Sequence, residues 1–371
     1  VESSTVTITN LVYHLEVTHI ASIGVCASTT PVTISVVDSN SNLVPNFTGV
    51  VTISNSLDLG NYTVNTGTPA RFNNLTGNDG TAEYEFTVDD AGSVVLDFTA
   101  PSIGTYTFDA NAGSIGTENY AGGLIVAACS FRISHDGAGN VCTADAITIG
   151  VYANGSLVST YAGNVNLTTT GLTGGNWSKT TTPSDALGTL NNGAANDGAA
   201  TYSFSSNDGG EIALNFQDNA AETVNFNVTA AGVTAPAGIY DANFTVSKCT
   251  FRVTHSEAMD VCTPENITIT LVDSAGSTVT GYTGTINLST SSGRGTWAKT
   301  GAPADAEGTI TDPINGDGGA TYQFDSDDVG TITLRFTHPG ADGVVNINIT
   351  DGATTDPQNS SNAYDKNIAI G

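Results

Sequence analysis

Five cysteines and five histidines are the side chains of this 371-residue chain best suited to metal or redox chemistry. The cysteines stand at 26, 129, 142, 249 and 262, with no C-x-x-C pair and no Cys/His cluster at zinc-ligand spacing. His19, His135 and His255 each precede a cysteine by seven residues. No second ligand follows at useful spacing, so this pattern predicts a histidine that caps a strand end and bonds the adjacent loop. The acidic turns Asp89-Asp90, Asp208 with Glu211, and Asp325, Asp327 and Asp328 are candidate calcium ligands, since calcium takes about six to eight oxygens. No D-x-D-x-D-G loop accompanies them, and a solvated turn with Asx hydrogen bonds is the simpler expectation. Trp177 and Trp297 either stack on a sugar or fill a core, and in a β-sandwich the core is the commoner place. N-x-[ST] sequons occur at Asn46, Asn61, Asn74, Asn154, Asn166, Asn176, Asn227, Asn243, Asn266, Asn287, Asn348 and Asn359, and matter only if the source glycosylates asparagine. G-x-S-x-G, H-E-x-x-H and phosphate-loop motifs are absent. No enzyme is expected.

The elements that position these residues come in three copies. Residues 13–26 (YHLEVTHIASIGVC), 129–142 (CSFRISHDGAGNVC) and 249–262 (CTFRVTHSEAMDVC) align. So do 78–86 (NDGTAEYEF), 196–204 (NDGAATYSF) and 316–324 (GDGGATYQF), each followed by an acidic turn and a strand-like segment. The copies are offset by 116 to 120 residues, a length that holds one domain per copy. Within a copy, segments such as ITITLVD (267–273) and TITLRF (331–336) alternate apolar and polar residues, and Gly, Asp, Asn and Pro clusters separate them. The expected fold is all-β, with three tandem immunoglobulin-like sandwiches of about seven strands each. They follow an N-terminal strand at 1–12 and span 13–126, 127–247 and 248–371. The joints repeat too: YAGGLIVAAC (120–129) and YDANFTVSKC (240–249) run a strand almost directly into the next copy's first strand, with no Pro- or Ser-rich spacer. Short joints predict an extended rod.

Two cysteine pairings fit this arrangement. Cys129–Cys142 and Cys249–Cys262 close within domains and account for Cys26, because Tyr13 stands where its partner would be. Cys26–Cys129 and Cys142–Cys249 cross the joints and leave Cys262 unpaired. The strand from Cys129 to His135 covers roughly 20 Å, too far for a bond whose Cα atoms lie within about 7 Å. Geometry therefore favours the joint-crossing pairs, and disulfides suit an oxidising, extracellular setting.

Nine Lys+Arg against 36 Asp+Glu give a formal charge of −27. That excludes a nucleic-acid partner, which needs a basic face, and argues against an anionic membrane surface. No run of about 18 apolar residues provides a membrane span. The chain begins at Val1 without a leader, and the expectation is a processed secreted protein or a piece of one.

The motif F-R-[IV]-[ST]-H-x6-C, with Y-[AT]-G, N-L-[ST]-T, G-x-W and D-G-x-A-x-Y-x-F after it, resembles the repeats of MshQ-like bacterial proteins. These are surface or pilus-associated proteins, and the D-G-x-A-x-Y-x-F part is similar to invasin-type modules. Copies two and three carry the whole pattern, whereas copy one has Tyr13 for Cys and no matching Trp. The resemblance implies an extracellular stalk, adhesin or appendage and supplies no catalytic residues. The expected role is a structural subunit of an extracellular filament, polymerising head-to-tail with itself. One terminal strand, with Val6, Ile8 and Leu11 or Ile368 and Ile370 facing inward, would add to a neighbour's sheet. The alternatives are an adhesin for a glycan or host protein and a surface-layer protein. No cofactor is expected, calcium being the one candidate.

Overall fold

The computed structural model describes residues 13–74, 76–120, 122–171, 174–179, 186–300, 306–340, 343–352, 354–356 and 365–371. It is built of β-strands joined by turns and by three-residue 3-10 turns. Among the described residues no helix is long and apolar enough to cross a membrane.

The middle repeat shows the plan. One sheet has the order Gly175–Lys179, Glu211–Asp218, Asp145–Ala153, Cys129–Ser134, Val233–Thr234, with Ser156–Leu157 also paired to Asp145–Ala153. The other runs Ala138–Asn140, Asn243–Ser247, Thr223–Thr229, Asn164–Thr169, Ala200–Ser203, Thr189–Asn191. Strand Glu211–Asp218 alternates strictly between half-buried and buried residues, as expected for a strand with one face against a partner sheet. Its Ile212, Leu214 and Phe216 join Ile147, Ile149 and Val151 against Val165, Leu167, Phe226 and Val228 of the facing sheet. This is an immunoglobulin-like sandwich. The first strand switches sheets: Cys129–Ser134 pairs antiparallel with Asp145–Ala153, whereas Ala138–Asn140 pairs parallel with the last strand, Asn243–Ser247. Among the described residues the buried apolar side chains form three such clusters, one per repeat.

Each repeat holds more strands than its alternation suggests. The additional pieces are too short for a period to show, as in Thr189–Asn191 and Thr309–Thr311. The first repeat differs at one edge, where Ile115–Tyr120 pairs parallel with Tyr13–His19 and antiparallel with Phe108–Ala112, joining its two sheets.

Candidate functional site

The joints are the most specifically constructed places in the molecule. Leu124–Ala127 ends the first repeat and Cys129–Ser134 opens the second, with only Ala128 between them. Asn243–Ser247 leads likewise into Thr250–Thr254. Cys26 is bonded to Cys129, with Cα atoms 6.1 Å apart, and Cys142 to Cys249, at 6.4 Å. The bonds are brought together by one register. Gly24 pairs with Ala127 and Asn140 with Ser247, so each cysteine lies two residues beyond a paired position. The amide between is used in the same way each time: Val25 donates to Ala127 O (2.9 Å) and Val141 to Ser247 O (3.0 Å). Val25, Cys26 and Ala27 pack on the middle core, and Val141 and Cys142 on the third. The fit is close at Gly24, where an added Cβ would lie 2.6 Å from Cys129 Sγ and 2.9 Å from Ala153 Cβ. Any larger side chain there would push the two repeats apart.

The third repeat carries the same half-joint. Met259 pairs with Ile370, and Val261 donates to Gly371 O at 3.1 Å. Cys262 is exposed, and among the described residues it has no disulfide partner.

The three repeated histidines hold the other end of the same ribbon. The Nε2 atoms of His19, His135 and His255 bond the carbonyls of Gly122 (3.1 Å), Ala242 (3.3 Å) and Lys366 (2.8 Å), each next to the last strand of its repeat. Nδ1 of His135 and of His255 accepts a backbone N–H two residues on. The His-x6-Cys motif is thus a clamp: its histidine ties the sheet-switching ribbon to its own repeat, and in the first two repeats its cysteine ties it to the next.

The acidic turns are latches. Asp208 accepts N–H bonds from Leu187 (2.5 Å), Gly188 (3.1 Å) and Ser205 (2.6 Å) and the hydroxyl of Tyr202 (3.1 Å). Asp328 does the same with Glu307, Gly308, Asp325 and Tyr322. In the first repeat Asp90 takes Tyr84 (2.8 Å), the Thr87 amide (2.8 Å) and the Arg71 guanidinium (3.0 Å). Asp325 is a helix cap, and Asp89 lies 3.3 Å from Arg71. These carboxylate oxygens are directed at amide, hydroxyl and guanidinium donors rather than gathered about a cation. Among the described residues no group of three His, Cys, Asp or Glu is arranged to hold a metal. The donors found at these turns are those of hydrogen-bonded turns. The Tyr of D-G-x-A-x-Y-x-F is the other half of each latch.

Trp177 and Trp297 are buried, with Nε1 bonded to Gly198 O (3.0 Å) and Gly318 O (3.1 Å) and rings against Phe216 and Phe336. A sugar has no access to either ring. Tyr62 fills this place in the first repeat, opposite Phe98 as Trp177 is opposite Phe216. Asn55 Nδ2 takes over the indole's bond, donating to Gly80 O at 3.2 Å. The common pattern G-x-[WY], at Gly60, Gly175 and Gly295, is the signal that finds this position.

Of the sequons, Asn46, Asn154, Asn166, Asn227, Asn243, Asn266 and Asn287 are exposed, and Asn61, Asn74, Asn176 and Asn348 are half-buried. Asn359 lies outside the described residues, as do Val6, Ile8 and Leu11. Ile368 and Ile370 are not available to a neighbour. Strand Ile368–Ile370 lies between Ala258–Met259 and Gly343–Val345 of its own repeat, with both isoleucines in that repeat's core. Asn346 and the Lys366–Glu257 ion pair hold the segment leading into it. The alternation that makes this strand fit a neighbour's sheet makes it fit its own first.

Asp145, beside Gly139 next to the second joint, is pushed up to about 6 by burial and then by the charge of Asp136, against a bond from Asn140. Its folded value exceeds the unfolded one, so the folded state binds the proton more tightly. Stability then falls as pH rises from about 4 to about 6 and is level above. We expect Asp145→Asn to raise stability at pH 7 by about 1 kcal/mol, discounted for partial exposure, and to leave it unchanged at pH 3.5. Urea unfolding midpoints of the two proteins at both pH values measure this.

No family model matches the chain, and no curated protein matches it. The likeness to MshQ-like repeats therefore rests on its motifs alone. Among solved structures, the Yersinia pseudotuberculosis adhesin InvE is 14% identical, over 63% of this chain and 58% of that one, with a TM-score of 0.24. Invasin, described as a bacterial integrin-binding protein, is 12% identical over 98% and 60%, at 0.25. Surface layer protein SbsC, domains 4–9, is 11% identical over 97% and 48%, at 0.28. The chain spans about half to three fifths of the length of these structures. Scores of this size carry no argument about function.

Proposed function

We propose that this chain is a load-bearing segment of an extracellular stalk or filament at a cell surface. The observation that carries it is the joint: strand running into strand, fixed by a common register and crossed by a disulfide, made twice and half-made a third time. Two such joints hold three sandwiches in single file, as an extended rod without free swivels. The chemistry of each repeat goes into clamps and latches, and this argues for a mechanical role and against an enzyme. At the third repeat, a following module whose cysteine falls two register positions beyond Gly371 would complete the pattern with Cys262. A second copy of this chain presents Tyr13 at that place, so self-association there would proceed without a disulfide. Self-assembly is assigned instead to residues 4–12, added along an open sheet edge of the next subunit, because Ile368–Ile370 already fills the last-strand position.

Electron microscopy of the chain, with and without residues 1–12, tests both levels. Straight three-lobed particles are expected in either case, with filaments only from the intact chain. Compact or freely hinged particles reject the stalk. Filaments that persist after the deletion reject residues 4–12 as the connector while leaving the stalk in place.

A second reading, an adhesin for a glycan, has one observation in its favour. A polar notch of about 710 Å³ opens beside the second joint, lined by Asn215, Gln217, Asn219, Thr283 and Thr285 among others. Glycan-array binding that is lost on Gln217→Ala and Asn219→Ala would support it.

A further inference from the structure

The order in which the disulfides meet the chain has a mechanical consequence that deepens the stalk reading. Cys129 receives the bond from Cys26, and Cys142, thirteen residues on, gives the bond to Cys249. A pull transmitted along the molecule enters the middle repeat at Cys129 and can leave it at Cys142 through covalent bonds alone. Everything from 143 to 248 hangs from this line as a closed loop. The first repeat is wired in the same way: the line runs from Tyr13 to Cys26 and crosses to Cys129, leaving 27–128 as the loop. The ribbon that carries the line is already extended, as strands Cys129–Ser134 and Ala138–Asn140 in the middle repeat and Tyr13–His19 and Ser22–Gly24 in the first.

We propose that the two disulfides form a covalent tension line that bypasses the bodies of the first two repeats, making this part of the molecule inextensible whether or not its sandwiches stay folded. Thirteen residues reach at most ~47 Å at 3.6 Å each, and about 43 Å in strand conformation. What each of these repeats can release is therefore only a fraction of this ~47 Å reach. A repeat without the bypass would release on the order of 400 Å, from about 120 residues. The third repeat is the internal contrast. Cys262 has no partner among the described residues, so tension leaving Cys249 must pass through the whole of 249–371. The location of the bonds matters as much as their number. The alternative pairing, Cys129 with Cys142, would short-circuit only the ribbon and leave each sandwich free to unravel to its full length.

Single-molecule force spectroscopy on the full chain, held by peptide tags at its two ends, tests this without any filament. Oxidised protein is expected to give one long unfolding step of about 400 Å, from the third repeat. After dithiothreitol, three such steps are expected. Cys142→Ser should restore the middle repeat's step alone, giving two in oxidised protein, and Cys26→Ser should restore the first repeat's. Three long steps from oxidised protein, with both bonds verified by non-reducing peptide mapping, would overturn the proposal. So would a single step that survives full reduction. Either result is independent of whether the chain assembles, so the tension line and the filament stand or fall separately.

Discussion

Trp297→Ala is expected to destabilise the third repeat by about 3–5 kcal/mol, the range for removing a large aromatic side chain from a packed core. The indole is 3% exposed, rests on Phe336 with ring centroids 4.7 Å apart, and gives Nε1 to Gly318 O. Truncation leaves a void between the sheets and removes the donor from a buried carbonyl. Gly318 itself is fixed at φ +74, and an added Cβ would lie 2.1 Å from Thr290 Oγ1, so the turn has little freedom to collapse into the gap. Against a typical domain stability of about 5–15 kcal/mol, the loss brings this repeat close to unfolding. Calorimetry of the variant should show an early transition assigned to the third repeat. Trp297→Phe should recover most of the loss. A variant that melts like the parent would mean that the indole is not the keystone of this core. Loss of sugar binding with stability unchanged would return the residue to the surface role that its burial contradicts.

The features legible in the sequence are those governed by period and repetition. Alternation marks the longer strands because a sheet with one buried face imposes a period of two residues. Three aligned copies multiply that signal. The joint-crossing disulfides follow from a length argument, since an extended strand separates its ends too far for the local pairing. Substitutions that keep a role while changing residue type were less visible. Tyr62 for Trp, and Asn55 Nδ2 for the indole N–H, preserve ring packing and a hydrogen bond through unlike side chains, one of them distant in sequence. The acidic turns show a second kind of limit. A carboxylate that accepts amide bonds and one that awaits calcium are the same residue in a sequence, and only the positions of the donors distinguish them. The terminal strand shows a third kind of limit: Ile368 and Ile370 have the alternation needed to complete a sheet, and alternation does not say whose sheet it is.

The latches explain how modules with so few charged residues use their acids. Asp328→Ala is expected to cost about 3–5 kcal/mol, comparable to breaking a buried charged pair by removing one partner. The substitution strands several donors at once: the amides of Glu307 (2.6 Å) and Asp325 (2.7 Å) and the Tyr322 hydroxyl (3.0 Å) all lose their acceptor. Each buried donor left unsatisfied costs about 1–3 kcal/mol, moderated here by water reaching the turn. Burial, followed by the neighbouring carboxylate, holds the Tyr322 phenol well above its ordinary range, so it remains a donor throughout the accessible pH range. Tyr322→Phe should therefore cost less than Asp328→Ala, since it removes one donor and leaves the carboxylate its amides. Acid should loosen the corresponding latch of the first repeat. Burial works to raise the Asp90 carboxyl, but the Thr87 amide, the Tyr84 hydroxyl and the Arg71 guanidinium outweigh it and bring it below its ordinary value. A depressed carboxyl contributes stability that is present above its unfolded pKa and is lost as pH falls through the lowered folded value. Thermal unfolding between pH 5 and pH 2 should show the first repeat losing stability across that window, and Asp90→Asn should flatten the dependence. If Asp328→Ala melts within 0.5 kcal/mol of the parent, the latch does not hold the turn. The repeated Asp–Tyr pair would then be a solvated turn of the kind its acidic composition first suggests.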